Sequence, residues 1–134
     1  DVYGSNSFDI GEFEPTIGGV LAKFPVAVNA AVFRPYLWET GSATMLMSGI
    51  ENLIISLVSI YLLVIVGPIK IVNYIFKDPY LIFCLLFTLI LGFGVGLSTS
   101  NFGALVRYKI PFMPFFMSLL FIINTKRKEV KLKF

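Results

Sequence analysis

The chain has 134 residues, of which 57% are hydrophobic and only 14% are charged, and its formal net charge is +3. Apolar residues exceed what a soluble core of this length can bury, so the composition predicts a membrane protein. A soluble protein of buried helices would need polar helix faces, which the long apolar runs lack. One cysteine and no histidine exclude a disulfide framework and remove the commonest metal ligand and general base, so we expect no metal and no cofactor.

The first 44 residues are predicted to form an extracytoplasmic loop followed by an interfacial segment. Residues 1–19 are rich in Gly, Ser, Asn and acidic residues and are typical of an aqueous loop. The chain starts with Asp1 rather than Met, so we expect it to be the C-terminal part of a longer polytopic protein. Residues 20–37 are apolar but interrupted by polar residues and prolines, which favours a segment that lies in the interface or re-enters the bilayer, with Tyr36 and Trp38 at headgroup level.

Three apolar runs predict transmembrane helices at residues 45–66, 80–97 and 102–123. Gly67 and Pro68 end the first helix, and Asp78 and Pro79 are suited to begin the second. The third run is fully apolar only from residue 110, so we expect its helix to begin earlier. The predicted fold class is therefore all-α, an integral membrane protein with about three transmembrane helices and an N-terminal outer interfacial or re-entrant segment.

Charge predicts the orientation. Residues 124–134 form a tail with five basic residues, Lys126, Arg127, Lys128, Lys131 and Lys133. Such a tail is typical of the cytoplasmic side, and counting back from it places Lys70 and Lys77 inside and residues 1–44 and 98–109 outside. Because the basic residues cluster at one end of the chain, membrane topology explains them better than nucleic-acid binding does. We expect an integral membrane protein whose C-terminus is cytoplasmic.

Residues 33–39, FRPYLWE, combine aromatic, guanidinium and carboxylate groups just before a membrane helix. Arg34 could bind a phosphate or pyrophosphate bidentately while aromatic rings such as Trp38 stack on sugar. The alternative is an aromatic belt in which Arg34 pairs with Glu39 or with lipid headgroups.

Glu51 and Asn52 lie within the outer turns of the first predicted helix, where an unpaired carboxylate is costly. A structural ion pair with Arg34 or Arg107 and a substrate-facing acid both remain open. With no histidine in the chain, Glu51 and Glu39 are the candidates for a catalytic acid or base, although catalysis itself is uncertain.

Arg107 and Lys109 contradict the charge rule, because they are basic residues on the predicted outer side. At the start of a helix whose positive end faces outward, they could bind an anion together with Asn101 and Tyr108. The alternative is that both side chains simply snorkel to the membrane surface.

Gly92 and Gly96 have the four-residue spacing of close helix contacts, which predicts packing against a neighbouring helix.

The motifs together resemble the C-terminal part of bacterial polytopic proteins of surface-polysaccharide assembly, similar to O-antigen polymerases, over about residues 21–120. The resemblance rests on residues 33–39, Glu51-Asn52, Asn101-Phe102-Gly103, Arg107-Tyr108-Lys109 and Pro111. The Arg-Tyr-Lys-x-Pro segment is also similar to the last helix start of integral-membrane glycosyltransferases that use polyprenyl-phosphate sugars. The large outer loop of the polymerases and the early acidic motif of the glycosyltransferases are absent from this sequence.

The resemblance implies a location in a bacterial inner membrane. It also implies a substrate that carries a phosphate or diphosphate on a lipid and is presented at the outer leaflet. Two functions follow. The first is a component of cell-envelope glycan assembly that binds a polyprenyl-linked glycan through Arg34, Arg107 and Lys109. The second is a non-catalytic subunit that anchors or assembles a larger envelope complex, with the bilayer and other membrane subunits or the rest of a longer chain as partners. A transporter is less favoured, because three helices cannot form inverted repeats without additional chain.

Overall fold

A computed structural model describes residues 9–12 and 14–132, and all of its regular elements are helical. In chain order they are α1 (Ile17–Ala22), α2 (Phe24–Phe33), a 3₁₀ turn (Leu37–Glu39), α3 (Ala43–Val66), α4 (Pro68–Phe76), α5 (Pro79–Ser98), α6 (Phe102–Tyr108) and α7 (Met113–Leu132). The described residues exclude residues 1–8 and 13 of the predicted N-terminal loop, and they exclude Lys133 and Phe134 of the predicted tail.

The two long apolar helices α3 and α5 are long enough to cross a bilayer, with 24 and 20 residues. The side chain of Ser42 caps the start of α3, and Gly67, with a φ of 85°, ends it in a conformation that favours glycine. Asp78 caps α5, and Pro79 begins it. The predicted all-α class is confirmed, and of the about three predicted transmembrane helices two are long and apolar enough to cross a membrane, or three if the bent pair of α6 and α7 forms one span.

The third predicted helix, residues 102–123, is not continuous. It is divided into α6 and α7, which are bent by 63° relative to each other, with the break between Tyr108 and Met113. Pro111 explains the break, because proline lacks the amide hydrogen of a helical bond and clashes with the preceding turn. The prediction also separated a basic tail from the last helix at residue 124, whereas α7 continues through this tail to Leu132.

Helix α2 packs closely against α5. A Cβ atom on Gly96 would lie 2.0 Å from the carbonyl oxygen of Ala27, and one on Gly92 would lie 3.8 Å from Cβ of Ala31. The two pairs show that α2 runs antiparallel to α5, with alanines four residues apart facing glycines four residues apart. Small residues permit this close backbone approach.

After α2 the chain turns and returns to the start of α3. The turn contains a cis Arg34–Pro35 peptide bond, and the carbonyl oxygen of Pro35 accepts a hydrogen bond from Asn52 Nδ2 at 3.3 Å. Asn52 is about 14 Å along α3 from Ala43, at 1.5 Å per residue. The chain then returns past Gly49, which lies against Leu37 and Thr40.

At the end of the molecule away from the Arg34–Pro35 turn, helix α4 and the basic residues of α7 lie close together. Lys126 Nζ of α7 lies 3.1 Å from the Asp78 carboxylate before α5, and Arg127 donates to the Tyr61 hydroxyl of α3 at 3.2 Å. Helix α4, which carries Lys70, contacts α7 at this same end. We call this the basic end.

Two apolar clusters divide the interior. The half that contains α2, residues 34–40 and α6, which we call the closed half, is built around Ala30, Ala31, Val32, Ile55, Phe102, Leu105, Phe112 and Met113. The half toward the basic end, which we call the open half, is built around Leu62, Val66, Ile75, Leu81, Cys84, Leu119 and Ile123. Aromatic contacts such as Phe87–Phe115, with ring centroids 4.5 Å apart, join α5 to α7.

Candidate functional site

The closed half contains a buried lysine at the break between α6 and α7. Lys109 is 5% exposed, and its ammonium group donates to the carbonyl oxygens of Val32 and Arg34, at 3.5 and 3.4 Å, and to the side-chain oxygen of Asn52. A lysine ammonium group has three donors, and here each has an oxygen acceptor. The ammonium group therefore lies inside the protein with its hydrogen-bonding capacity met.

The end of α2 explains why a lysine is suited to this position. The last carbonyl groups of a helix have no partner within the helix, and they form the negative end of its dipole. Val32 is in the last turn of α2, and Arg34 is the residue at its C-terminal cap. Lys109 therefore supplies both hydrogen bonds and a positive charge to a helix end that has no contact with bulk water at Val32.

Asn52 connects this lysine to the turn after α2. Its side chain is 1% exposed, accepts from Lys109 through Oδ1 and donates through Nδ2 to Pro35. A single buried amide therefore holds α3, the Arg34–Pro35 turn and the α6–α7 break together. A polar residue inside an otherwise apolar helix was the sequence signal for it, although the neighbouring Glu51 carried the functional prediction.

Arg34 forms an ion pair with Glu39 across the turn. Arg34 Nε donates to both carboxylate oxygens, at 3.0 and 3.2 Å, and Nη2 also contacts the carboxylate. The carboxylate accepts from the backbone amide of Tyr36 as well, at 3.0 Å. The guanidinium carbon lies 5.8 Å from the ring centroids of both Tyr36 and Phe102. We call the set Arg34, Glu39, Asn52 and Lys109 the polar cluster.

The pairing of Arg34 with Glu39 is the structural alternative considered for residues 33–39. The two side chains are 21% and 15% exposed, so the pair lies at the margin of the protein rather than in its centre. Glu39 is fully engaged by the guanidinium group and the Tyr36 amide, which leaves it poorly placed to act as a catalytic base. The ion pair closes the turn in the same way as a capping interaction closes a helix.

The other predicted site residues lie outside the polar cluster. Trp38 is 81% exposed and stacks on Tyr36, with ring centroids 4.9 Å apart. Asn101 accepts a hydrogen bond from the Gly103 amide at 2.7 Å and so caps the start of α6. Arg107 and Tyr108 are exposed at the end of α6.

Glu51 does not form the ion pair that was considered for it. Its side chain is exposed on α3, and its carboxylate forms no salt bridge with any residue in the described ranges. It does attract the Lys109 ammonium group electrostatically. The two basic residues that the charge rule selected together are therefore separated: Lys109 lies inside the protein and Arg107 lies on its surface.

The polar cluster has no obvious metal site, because no group of three His, Cys, Asp or Glu side chains suited to hold a metal ion occurs within residues 9–12 and 14–132. The cluster can hold the turn after α2 against the break between α6 and α7 inside an apolar helical bundle. The exposed residues around it, Trp38, Arg107 and Tyr108, are those that could contact a ligand. No protein-family model, curated protein or solved structure matches this chain.

Proposed function

We propose that this chain is a membrane-embedded component of cell-envelope glycan assembly, and that it binds a lipid-linked phosphate or diphosphate at the outer leaflet of a bacterial inner membrane. The observation that carries the proposal is the polar cluster itself, in which two interrupted segments meet inside an apolar helical protein.

Interrupted backbone at membrane depth is costly, because its amide and carbonyl groups have no water to bind. It is retained in membrane proteins where it is buried in protein or lines a site, and breaks in helices near the midplane often mark where a polar ligand binds. Charged residues at membrane depth are also costly, so their presence there favours a functional site over a purely structural one. A passive membrane anchor needs none of these features.

The orientation that the proposal needs follows from charge. Lys70, Lys77 and the basic residues of α7 belong to the basic end, and the positive-inside rule favours a cytoplasmic location for it. The polar cluster then belongs to the outer half of the membrane. In that orientation α2 and residues 34–40 form a re-entrant hairpin that enters from the outer face, turns at Arg34–Pro35 and leaves again.

The ligand in this proposal is anionic, and its main protein contact is Arg107. This exposed side chain has no carboxylate partner among the described residues, whereas the Lys109 ammonium group is already bound by three protein oxygens. Trp38 offers an exposed indole ring suited to stack on a sugar. Lys109, Asn52 and the Arg34–Glu39 pair are then positioning residues. The resemblance to polysaccharide-assembly proteins supports the glycan as the substrate class.

The second candidate function is a non-catalytic subunit that anchors or assembles a larger envelope complex. It is favoured by the satisfied hydrogen bonds of the polar cluster and by the engagement of Glu39, which leave no obvious catalytic base there. In this alternative the exposed guanidinium group of Arg107 contacts a protein partner or lipid headgroups.

The test compares Arg107→Ala with Lys128→Ala, which removes another exposed positive charge, at the basic end. Purified variants in lipid nanodiscs are titrated with undecaprenyl phosphate, and bound lipid is counted by native mass spectrometry. Arg107→Ala should weaken binding by about 10- to 150-fold, because a charge-assisted hydrogen bond contributes roughly 1.5–3 kcal/mol. Lys128→Ala should bind like the wild type, and Arg107→Lys should recover part of the loss.

Equal affinity of the Arg107→Ala and Lys128→Ala variants for undecaprenyl phosphate would overturn the binding proposal. If, in addition, Arg107→Ala lost copurifying membrane proteins while lipid binding was unchanged, the subunit function would replace it.

A further inference from the structure

A long apolar groove lies between α3 and α7, mainly in the open half, and it reaches Ile55 at the edge of the closed half. Its volume is about 700 Å³, which is within the roughly 300–1,000 Å³ typical of ligand sites. The walls are formed mainly by Ile54, Val58, Leu62, Met117, Leu120 and Phe121. The groove is separate from the polar cluster, none of whose four residues lines it.

The dimensions of the groove fit one leaflet of a membrane. It extends along α3 from Ile54 to Leu62 and along α7 from Met117 to Asn124. At 1.5 Å per residue this is about 11 Å, compared with about 15 Å for half of the hydrocarbon core. The groove therefore spans most of the depth of one leaflet.

The groove changes from apolar to polar toward the basic end. Tyr61, Tyr80 and Asn124 line it at this end, whereas Ser118 is the polar lining residue nearer the other end. The guanidinium group of Arg127 lies 5.5 Å from the Tyr61 ring centroid and donates to the Tyr61 hydroxyl. Two buried polar atoms here, Asn124 Oδ1 and Arg127 Nε, have no hydrogen-bond partner among the described residues. A buried donor and a buried acceptor thus remain unmatched at the same end of the groove.

Arg127 also has no carboxylate partner within the part of the chain that the structure describes. The nearby Asp78 carboxylate pairs with Lys126, at 3.1 Å, and no salt bridge of Arg127 occurs within the described residues. An apolar slot that ends at an unneutralised guanidinium group is complementary to a molecule with a hydrocarbon chain and an anionic head.

We propose that this groove binds one anionic phospholipid of the leaflet at the basic end, with an acyl chain between α3 and α7, the phosphate at Arg127 and a headgroup hydroxyl donating to Asn124. Phosphatidylglycerol has this combination of a single negative charge and free hydroxyl groups. The inference does not depend on the proposed glycan function, because it concerns a different site at the opposite end of the protein.

The experiment uses the full chain in nanodiscs of equal phosphatidylglycerol and phosphatidylcholine, released into the gas phase for native mass spectrometry. The wild type should retain one phosphatidylglycerol in preference to phosphatidylcholine. Arg127→Gln should reduce that preference about tenfold, while Lys128→Gln, which removes the adjacent exposed charge, should leave it unchanged.

A second pair of variants tests the groove independently of charge. Val58→Trp places a large ring in the groove and should reduce the retention of both lipids, whereas Val64→Trp, on a 75% exposed position of α3, should not. Thermal stability in detergent checks that each variant is folded. Equal retention of the two lipids by the wild type, no effect of Arg127→Gln, or a second copy of the chain retained in place of lipid would each overturn the proposal.

Discussion

The closed and open halves of this protein solve the same packing problem in different ways. In the closed half a third apolar helix, α2, fills the space beside α5, and the ends of the interrupted segments are bound by Lys109 and Asn52. In the open half no described segment fills the space between α3 and α7, and a groove of about 700 Å³ remains. In the closed half, internal polar contacts hold the chain together. The open half instead has a surface suited to bind an external molecule.

The same residue type has different roles in the two halves. Lys109 is buried and bound by three protein oxygens, whereas Lys128 is exposed in the continuous helix α7. A positive charge in a membrane protein therefore cannot be assigned to ligand binding or to topology from its sequence position alone. The role of such a charge depends on the groups that it contacts, and for Lys109 those groups are mostly backbone carbonyl groups.

The largest expected effect is that of Lys109→Met. The substitution leaves the Asn52 side-chain oxygen and the carbonyl groups of Val32 and Arg34 without their donor, and each buried unsatisfied group costs about 1–3 kcal/mol. Loss of the buried ammonium's own desolvation cost offsets part of this, so we expect the free energy of unfolding to fall by about 3 kcal/mol. Titration with SDS, followed by circular dichroism, measures it.

Two controls make this result specific to the closed half. Lys128→Met removes an exposed lysine and should change the free energy of unfolding by less than about 0.5 kcal/mol. Asn52→Leu should be less damaging in the Lys109→Met background than alone, because the two residues share a hydrogen bond. Additive losses would show that Lys109 and Asn52 do not act through their shared hydrogen bond, and equal losses for Lys109→Met and Lys128→Met would show that the polar cluster does not stabilise the fold.

The next effect is that of Gly96→Ala, which tests the packing of α2 on α5. The added Cβ would lie 2.0 Å from the Ala27 carbonyl oxygen, a backbone atom that can move only if the helices separate. We expect a loss of about 2 kcal/mol, in the range of overpacked cores. Gly94→Ala is the matched control, since its Cβ would meet nothing within 4 Å and alanine favours helix by up to about 1 kcal/mol.

Gly92→Ala lies between these two cases. Its Cβ would make ordinary contacts, the nearest at 3.8 Å to Ala31, so we expect little change in thermal stability. A graded series, with Gly96 most sensitive and Gly94 least, would support close packing of the closed half. Equal effects at the three positions would contradict it.

The sequence was sufficient for the long helices but not for the closed half. The apolar runs of α3 and α5 are continuous, so the predicted bounds of 45–66 and 80–97 differ by at most two residues from Ala43–Val66 and Pro79–Ser98. The contacts of Lys109 depend on which backbone carbonyl groups lie opposite it, and these are 75 and 77 residues away in the chain. Hydropathy and charge contain no information about such partners, and treating Arg107 and Lys109 as one pair concealed their opposite environments.

The smallest expected effect concerns Asp78 at the basic end, where the side chains of Lys126 and Asp78 are 33% and 28% exposed. The hydrogen bond from Lys126 lowers the pKa of the Asp78 carboxyl below its usual 3.8, so the pair stabilises the folded protein above that pH and loses this effect as the pH falls through the lower folded value. Asp78→Asn keeps a residue suited to cap α5 but removes the charge. Amide hydrogen exchange in residues 124–132 should be faster by no more than about a few-fold in this variant at pH 7, since surface ion pairs contribute little.

The difference in exchange rate from the wild type should disappear below the folded pKa of Asp78, where the wild-type carboxyl is also neutral. A difference that persisted at such acidic pH would mean that the amide perturbs the cap of α5, and that the ion pair is not what holds the end of α7.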